Sequence, residues 1–370
     1  MGGSGQLGNQ EEPHNHYRKR LFSRENNLIA MKSRMNREVH VRIRERLEVK
    51  ILWPTRSDFE QAILRAAEHF GERGLRAAVI EKDYYVTEAL RIISVTAGDK
   101  VIFKGGTSLS KGWNLIQRFS EDIDIFLDPL AFKPALGKNG IDRELKKLRD
   151  AVGAHPTLTF VENESQTIGG FGRNDRFSYA QRFGGPGEVA NRVFLEAGAA
   201  SGREPTSVVE LRSYIGQFLE ETGTSLGAED EGRFSLRLLH FRRTFVEKMF
   251  AIHGKVELFK RDRQPIGTYA RHYYDLFQLS GQEEVVAMLK SAEYAAIKVD
   301  YDQISRNHFS RSYFHPDDMS FAKSDALFPP EELVAAIAAE YDGQCKVLCY
   351  GQYPSWEEIQ ARLLDLRHLL

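Results

Sequence analysis

Apolar residues recur at helical spacing in "SDFEQAILRAAEHFG", where Phe59, Ile63, Ala67 and Phe70 share one stripe and Ser57, with Glu60 three residues on, makes a capping-box signature. Globular structure is expected to begin there. A second helical pattern covers residues 78–93, "AVIEKDYYVTEALRII", after which Gly98 and Asp99 turn the chain into an apolar run, "KVIFK", with the length of a strand. A glycine pair, a short helical stretch and a second strand, "EDIDIFL", follow. From 129 to 190 the text is mixed: a charged helix near "DRELKKLRDAVGA", a Thr-rich strand near "TLTFVE", the loop "FGGPGE", and a strand candidate in "NRVFLEAGA". Beyond about 207 the spacing turns helical almost throughout, from "SVVELRSYIGQFLEE" to "SWEEIQARLLDLRHLL". The pattern predicts an α+β chain, with a mixed sheet and helices first and a mainly helical lobe after it. The boundaries expected are a head at 1–56, a first lobe at 57–215 and a helical lobe at 216–370, with a cleft between the lobes.

Composition narrows the class. The 370 residues, 42 % hydrophobic and 28 % charged, suffice for a sizeable core. No run of about 18 apolar residues offers a membrane span, and the N-terminal stretch lacks the apolar segment of a secretory signal, so the cytoplasm is the expected location. Cys345 and Cys349 are the two cysteines, and four-residue spacing on one helix face suits a structural role better than a disulfide framework or a metal site. The net charge of −1 conceals a basic arm: residues 17–50 hold eleven Lys and Arg against four Asp and Glu. The arm reads as a solvated extension, with contact to nucleic-acid phosphates as the rival reading, and Met31 or Met35 as candidate natural starts.

The chemistry concentrates in "IFKGGTSLSKGWNLIQRFSEDIDIFL", residues 102–127. Side chains alternate across a strand, so Asp122 and Asp124 share one face while Ile123, Ile125 and Leu127 share the other. Two close carboxylates repel unless a cation lies between them, and hard oxygen ligands select Mg²⁺. Upstream, Gly105 and Gly106 stand where a strand meets a helix, a place for backbone N–H groups to approach phosphate, with Thr107 and Ser108 as added hydroxyl donors. Phosphate grip at one end and metal at the other is what metal-assisted nucleotidyl transfer needs. A phosphate-binding P-loop is excluded, because "GGTSLSKG" lacks its spacing.

That segment closely resembles the nucleotidyltransferase motif of the AbiEii/AbiGii toxin family, relatives of the MenT toxins within the DNA polymerase β nucleotidyltransferase superfamily. The likeness extends to "VIEKDYYVTEAL", "FVEKMFAI" and "RHYYDLFQL", and so covers about 57–370. It implies a two-lobed enzyme with a nucleotidyltransferase-like mixed sheet. Such an enzyme moves a nucleotide from an NTP, with Mg²⁺, to an RNA acceptor, commonly a tRNA 3′ end, as the toxin partner of a cognate antitoxin. By position, Asp122 and Asp124 match the metal-binding pair, and Gly106 with Thr107 matches the phosphate turn, Thr107 standing where the superfamily usually has serine. Lys248 resembles the lysine that steadies the triphosphate, and Asp275 resembles a further essential acid. Glu196, in the strand candidate after "RVFL", is the expected third carboxylate, with a plain surface glutamate as its rival. From the residues alone, Lys248 is a helix lysine whose stem reaches solvent, and Asp275 pairs with Arg271 one turn back or else positions the lysine. Lys82 and Asp83 belong to the likeness without a mechanism, and the histidines read as structural. Transfer to a protein or small-molecule hydroxyl, and a non-catalytic nucleotide-binding regulator, stand as alternatives.

Overall fold

The computed structural model describes residues 56–120, 122–184, 189–228 and 230–370. The basic arm, the cap expected from the Ser57 side chain and residues 185–188 of the Gly-rich loop lie outside the described residues. Helix α1 spans Arg56–His69 and packs its Phe59 and Ile63 stripe inward, with Phe70 buried just after its end.

Helix α2, Ala77–Ala97, is buried around most of its circumference. Its charged residues are therefore compensated, as buried charges must be. The Glu81 carboxylate accepts from the backbone N–H groups of Arg182 and Phe183, both at 2.9 Å. Lys82 donates to the carbonyl of Ala190 at 3.0 Å and also to that of Arg192. Asp83 pairs with Lys111 at 2.5 Å and accepts from the Tyr214 N–H at 2.8 Å. The "EKD" triplet thus ties α2 to three distant segments.

The sheet has eight strands: β1 Val101–Lys104, β2 Asp122–Leu127, β3 Thr159–Phe160, β4 Gln166–Ile168, β5 Gly172–Ser178, β6 Arg192–Gly198, β7 Thr206–Leu211 and β8 Phe234–Leu239. Their order is β3-β5-β6-β2-β1-β8-β7, with β4 on β5. The β1–β2 and β7–β8 pairs are antiparallel, while β2–β6 and β1–β8 are parallel. Helices α1, α2, α3 (Lys138–Gly153) and α4 (Tyr214–Glu221) pack on one face, where Phe103, Ile123, Ile125, Val193 and Leu195 enter a continuous core.

A second core gathers α5 (Phe241–Asp262), α6 (Arg271–Ser280), α7 (Glu283–Leu289), α8 (Ala292–His308), α9 (Glu331–Leu348) and α10 (Trp356–Leu366). Leu109 and Ile116, from the segment between β1 and β2, belong to this core, and Trp113 touches both.

The structure corrects the reading of 207–240 as helical. "SVVEL" is β7 and "FSLRLL" is β8, so the sheet runs on past the boundary expected at 215. β7 is an edge strand whose Val208 is 71 % exposed, so its apolar positions do not alternate cleanly. β8 runs directly into α5, which blurs its own period.

Candidate active site

β1 ends at Lys104, and the chain turns at Gly105 with φ +76°. A Cβ at Gly105 would fall on the Asp124 carboxylate, and one at Gly106 would stand 2.7 Å from Arg118 Nη2 and 2.8 Å from Ser120 Oγ. The glycine pair lets the turn pass between an acid and a guanidinium. The helical stretch after it is one turn, Gly105–Thr107, opening into a π-type turn at Ser108–Gly112, too short to offer a helix dipole. Thr107 and Ser108, expected as phosphate donors, instead point inward. The Thr107 hydroxyl donates to the Asp122 carbonyl at 2.5 Å, and that of Ser108 donates to the Gly105 carbonyl at 2.9 Å. At 2 % and 0 % exposure, Thr107 braces the turn against β2 and Ser108 closes the turn on itself.

The acids do converge. Asp122 and Asp124 are half-buried on β2, alternating with buried Ile123 and Ile125, and point away from the first core. β2 and β6 run parallel in a register that sets Asp124 beside Glu196, and Lys104 faces Asp124 from β1. Burial, then the Asp124 charge, pushes the Glu196 carboxyl up to about 8. Burial also raises Asp124. Crowding on adjoining strands thus makes it costly for Asp124 and Glu196 to be ionised together.

The opposite wall comes from α5 and α6. Asp275 is fully buried, and its carboxylate receives both arms of Arg118, Nε to Oδ1 and Nη2 to Oδ2, each at 2.7 Å. Lys248 Nζ lies 2.7 Å from Asp275 Oδ2 and 3.1 Å from His272 Nδ1. Burial opposes ionisation of Asp275, but Arg118 and Lys248 outweigh it and hold the carboxyl well below its usual range. Burial, then the Lys248 charge, pushes His272 down to about 3, so its neutral imidazole accepts from Lys248. Burial lowers Lys248 itself. The expected Arg271–Asp275 pair does not form: Arg271 Nη2 turns to Asp122 Oδ2 at 3.4 Å. Lys248, read as a lysine with its stem running to solvent, is 5 % exposed at the edge of the cleft.

Between the walls lies a cleft of about 490 Å³ lined by Lys104, the glycine pair, the three acids, Lys248 and Arg271. Four basic side chains, Lys104, Arg118, Lys248 and Arg271, share the lining with four acidic ones, Asp122, Asp124, Glu196 and Glu247. Lys104, Arg118 and His272 were not foreseen. Arg118 meets Asp275 across 157 residues, and no local spacing reports such a pair.

Among the described residues, no three His, Cys, Asp or Glu side chains are already arranged to hold a metal ion. The donor set still fits a divalent cation in its chemistry. Asp122, Asp124 and Glu196 offer hard oxygen donors, and the upward shifts of Asp124 and Glu196 mark carboxylates that a divalent cation would relieve. Also among the described residues, no helix is long and apolar enough to cross a membrane.

Among solved structures the chain matches MenT4, a nucleotidyltransferase toxin from Mycobacterium tuberculosis, at 15 % identity and a TM-score of 0.42, covering 83 % of this chain and 99 % of that one. No curated protein matches it in sequence. Residues 89–353 match the family described as nucleotidyl transferase AbiEii toxin, type IV toxin–antitoxin system. That span takes in the glycine turn, the three acids, Lys248 and Asp275, and on it the chain belongs to the AbiEii family of nucleotidyltransferase toxins.

Proposed function

We propose that the protein transfers a nucleotide from an NTP, with Mg²⁺, to the 3′-hydroxyl of an RNA acceptor, a tRNA in the first instance. In this way it acts in the cytoplasm as the toxin held in check by a cognate antitoxin. The observation that carries the reading is the convergence of Asp122, Asp124 and Glu196 on adjoining strands, across one cleft from the Lys248–Asp275–Arg118 cluster.

Asp122, Asp124 and Glu196 are the residues that would hold the cation. When bound, it supplies charge neutralisation at the reacting phosphate and acidifies the attacking hydroxyl. In the transfer, the bond from the RNA 3′-oxygen to the α-phosphorus forms and the bond to pyrophosphate breaks. Lys248, aimed by Asp275 and His272, meets the β- and γ-phosphates, with Arg271 adding positive charge along the same wall and Lys104 from β1 across the cleft. The Asp275 anchor matters because an unconstrained lysine would lose rotamer entropy at each turnover. Gly105 and Gly106 keep the floor open beside Asp124.

The test offers each α-labelled NTP and total RNA, with and without Mg²⁺, to the full chain. Label is expected on RNA. Asp122→Ala and Asp124→Ala are expected to lower the rate by about 10³-fold or more with circular dichroism unchanged, since both side chains face away from the core. Label on protein or metabolite pools, or an Asp122→Ala variant working at the parental rate, would overturn the assignment.

A further inference from the structure

On the other side of the glycine turn lies a second cleft, of about 450 Å³, that shares Arg118 with the first. Its wall is built in part by the "EKD" segment of α2, whose Lys82 and Asp83 the transfer chemistry leaves unused. Where the first cleft is lined by as many acids as bases, this one is lined by six cationic side chains and two acids, Asp83 and Glu210. Asp275 and Glu220 stand behind the lining as partners of Arg118 and of Arg212 and Arg233, so bases still outnumber acids.

The excess has identifiable sources. Arg212 follows β7 and Arg233 precedes β8, so the antiparallel pair brings the two guanidinium groups to one end of the sheet, where both lean on Glu220. Burial, then the Arg233 charge, lowers Arg212, as expected where like charges crowd. Arg73 has no carboxylate partner among the described residues; its guanidinium carbon stands 5.2 Å from the Phe70 ring centre and 5.6 Å from that of Tyr214. Lys111 sits 5.7 Å from the same Tyr214 ring. Concave basic surface with an aromatic floor suits single-stranded nucleic acid, whose phosphates take the charge and whose bases or sugars take the ring.

Resting on the RNA-acceptor reading above, we propose that this second cleft holds the phosphodiester backbone of the acceptor RNA, so that its 3′ end crosses the wall at Arg118 into the transfer cleft. Arg73, Arg212 and Arg233 are the contacts, and Tyr214 is the surface on which the strand rests. A polyanion has its complement here, whereas the transfer cleft is lined by as many acidic side chains as basic ones.

The test uses the full chain with bulk tRNA, comparing Arg73→Glu and Arg233→Glu, both at exposed or partly exposed positions, with Arg143→Glu, a charge-matched control on α3 that is 71 % exposed. The cleft variants are expected to weaken tRNA binding and raise the KM for tRNA about tenfold. The log–log salt slope should shrink by roughly 0.7 for each phosphate that the protein no longer neutralises, while the KM for the NTP stays as in the parent. The control should change none of these.

The inference is overturned if Arg143→Glu weakens binding equally, if tRNA binding is indifferent to both cleft variants, or if the NTP KM moves with the tRNA KM. Cleft variants that lose binding to the antitoxin while keeping tRNA affinity would assign the surface to the protein partner instead and overturn it too. Failure of the wild type to label RNA at all removes the RNA reading and this cleft's role with it. Labelling that persists with an unchanged tRNA KM in both variants removes only the latter.

Discussion

Asp275 holds two cations at once, with no exposed surface of its own, and the positions of Arg118 and Lys248 depend on it. Replacing it with alanine would leave two buried positive charges without their counter-ion. Asp275→Ala is expected to cost about 3–5 kcal/mol in chemical denaturation, more than a surface acid of the same type would. Gly105 is a second sensitive residue for a different reason. Its φ of +76° and the Asp124 carboxylate beside it leave no place for a methyl group. Gly105→Ala is expected to reduce transfer by about 10²-fold through displacement of Asp124, with a smaller loss in Tm than Asp275→Ala, read by rate and melting on one preparation. The shared face of Asp122 and Asp124 was legible in the sequence because a strand alternates, whereas Glu196 was singled out through the family resemblance and its place beside Asp124 is set by strand register. Arg118 was not legible, because its value lies entirely in a partner 157 residues away.

At the scale of elements, α2 is fastened to the segment before β8 by buried carboxyls. The Tyr84 hydroxyl donates to Asp230, and Arg91, whose Nε donates to Glu88 on the same helix at 3.1 Å, reaches across with Nη2 to the carbonyls of Asp230 at 2.9 Å and Gly232 at 2.8 Å. Burial, opposed by Arg91, pushes Glu88 up to about 7, and burial pushes Asp230 up to about 6. A carboxyl whose folded pKa is raised binds its proton more tightly in the native state than in the unfolded one. Its contribution to stability is complete below the unfolded value near 4.5 and is lost as pH rises through about 7. Stability is therefore expected to fall between pH 5 and pH 8 by an amount of order 2–3 kcal/mol from Glu88. Glu88→Gln should flatten that slope in denaturant melts; an equally steep slope in the variant would exclude Glu88 as its source. β7 illustrates the opposite problem of legibility, an element whose pairing with β8 is decided by the sheet and not by its own exposed, irregular pattern.

For the whole molecule, the segment from Gly105 to Arg118 is where the two cores meet. Leu109 and Ile116 enter the helical core, and Trp113 touches both cores while its indole N–H donates to the Leu239 carbonyl at 3.2 Å. The same segment supplies the floor of the transfer cleft, so packing between the cores and the geometry of the acids are set together. Trp113→Ala is expected to cost about 3 kcal/mol and to slow transfer more than an equally destabilising change inside either core, as compared by single-turnover rates below the melting range. Equal slowing in both variants would mean that the bridge contributes stability alone.

The amino-acid order by itself determined which face of β2 carries Asp122 and Asp124, that a glycine pair ends β1, and that helices follow the sheet, since each depends on a local period or on the missing Cβ of glycine. Only the tertiary structure decided which cation meets which acid. Arg271 leans to Asp122, Arg118 and Lys248 share Asp275, and the Thr107 and Ser108 hydroxyls turn inward. The reason is that a buried charge or hydroxyl takes the nearest complement in space, and that complement is set by strand register and helix packing, not by distance along the chain.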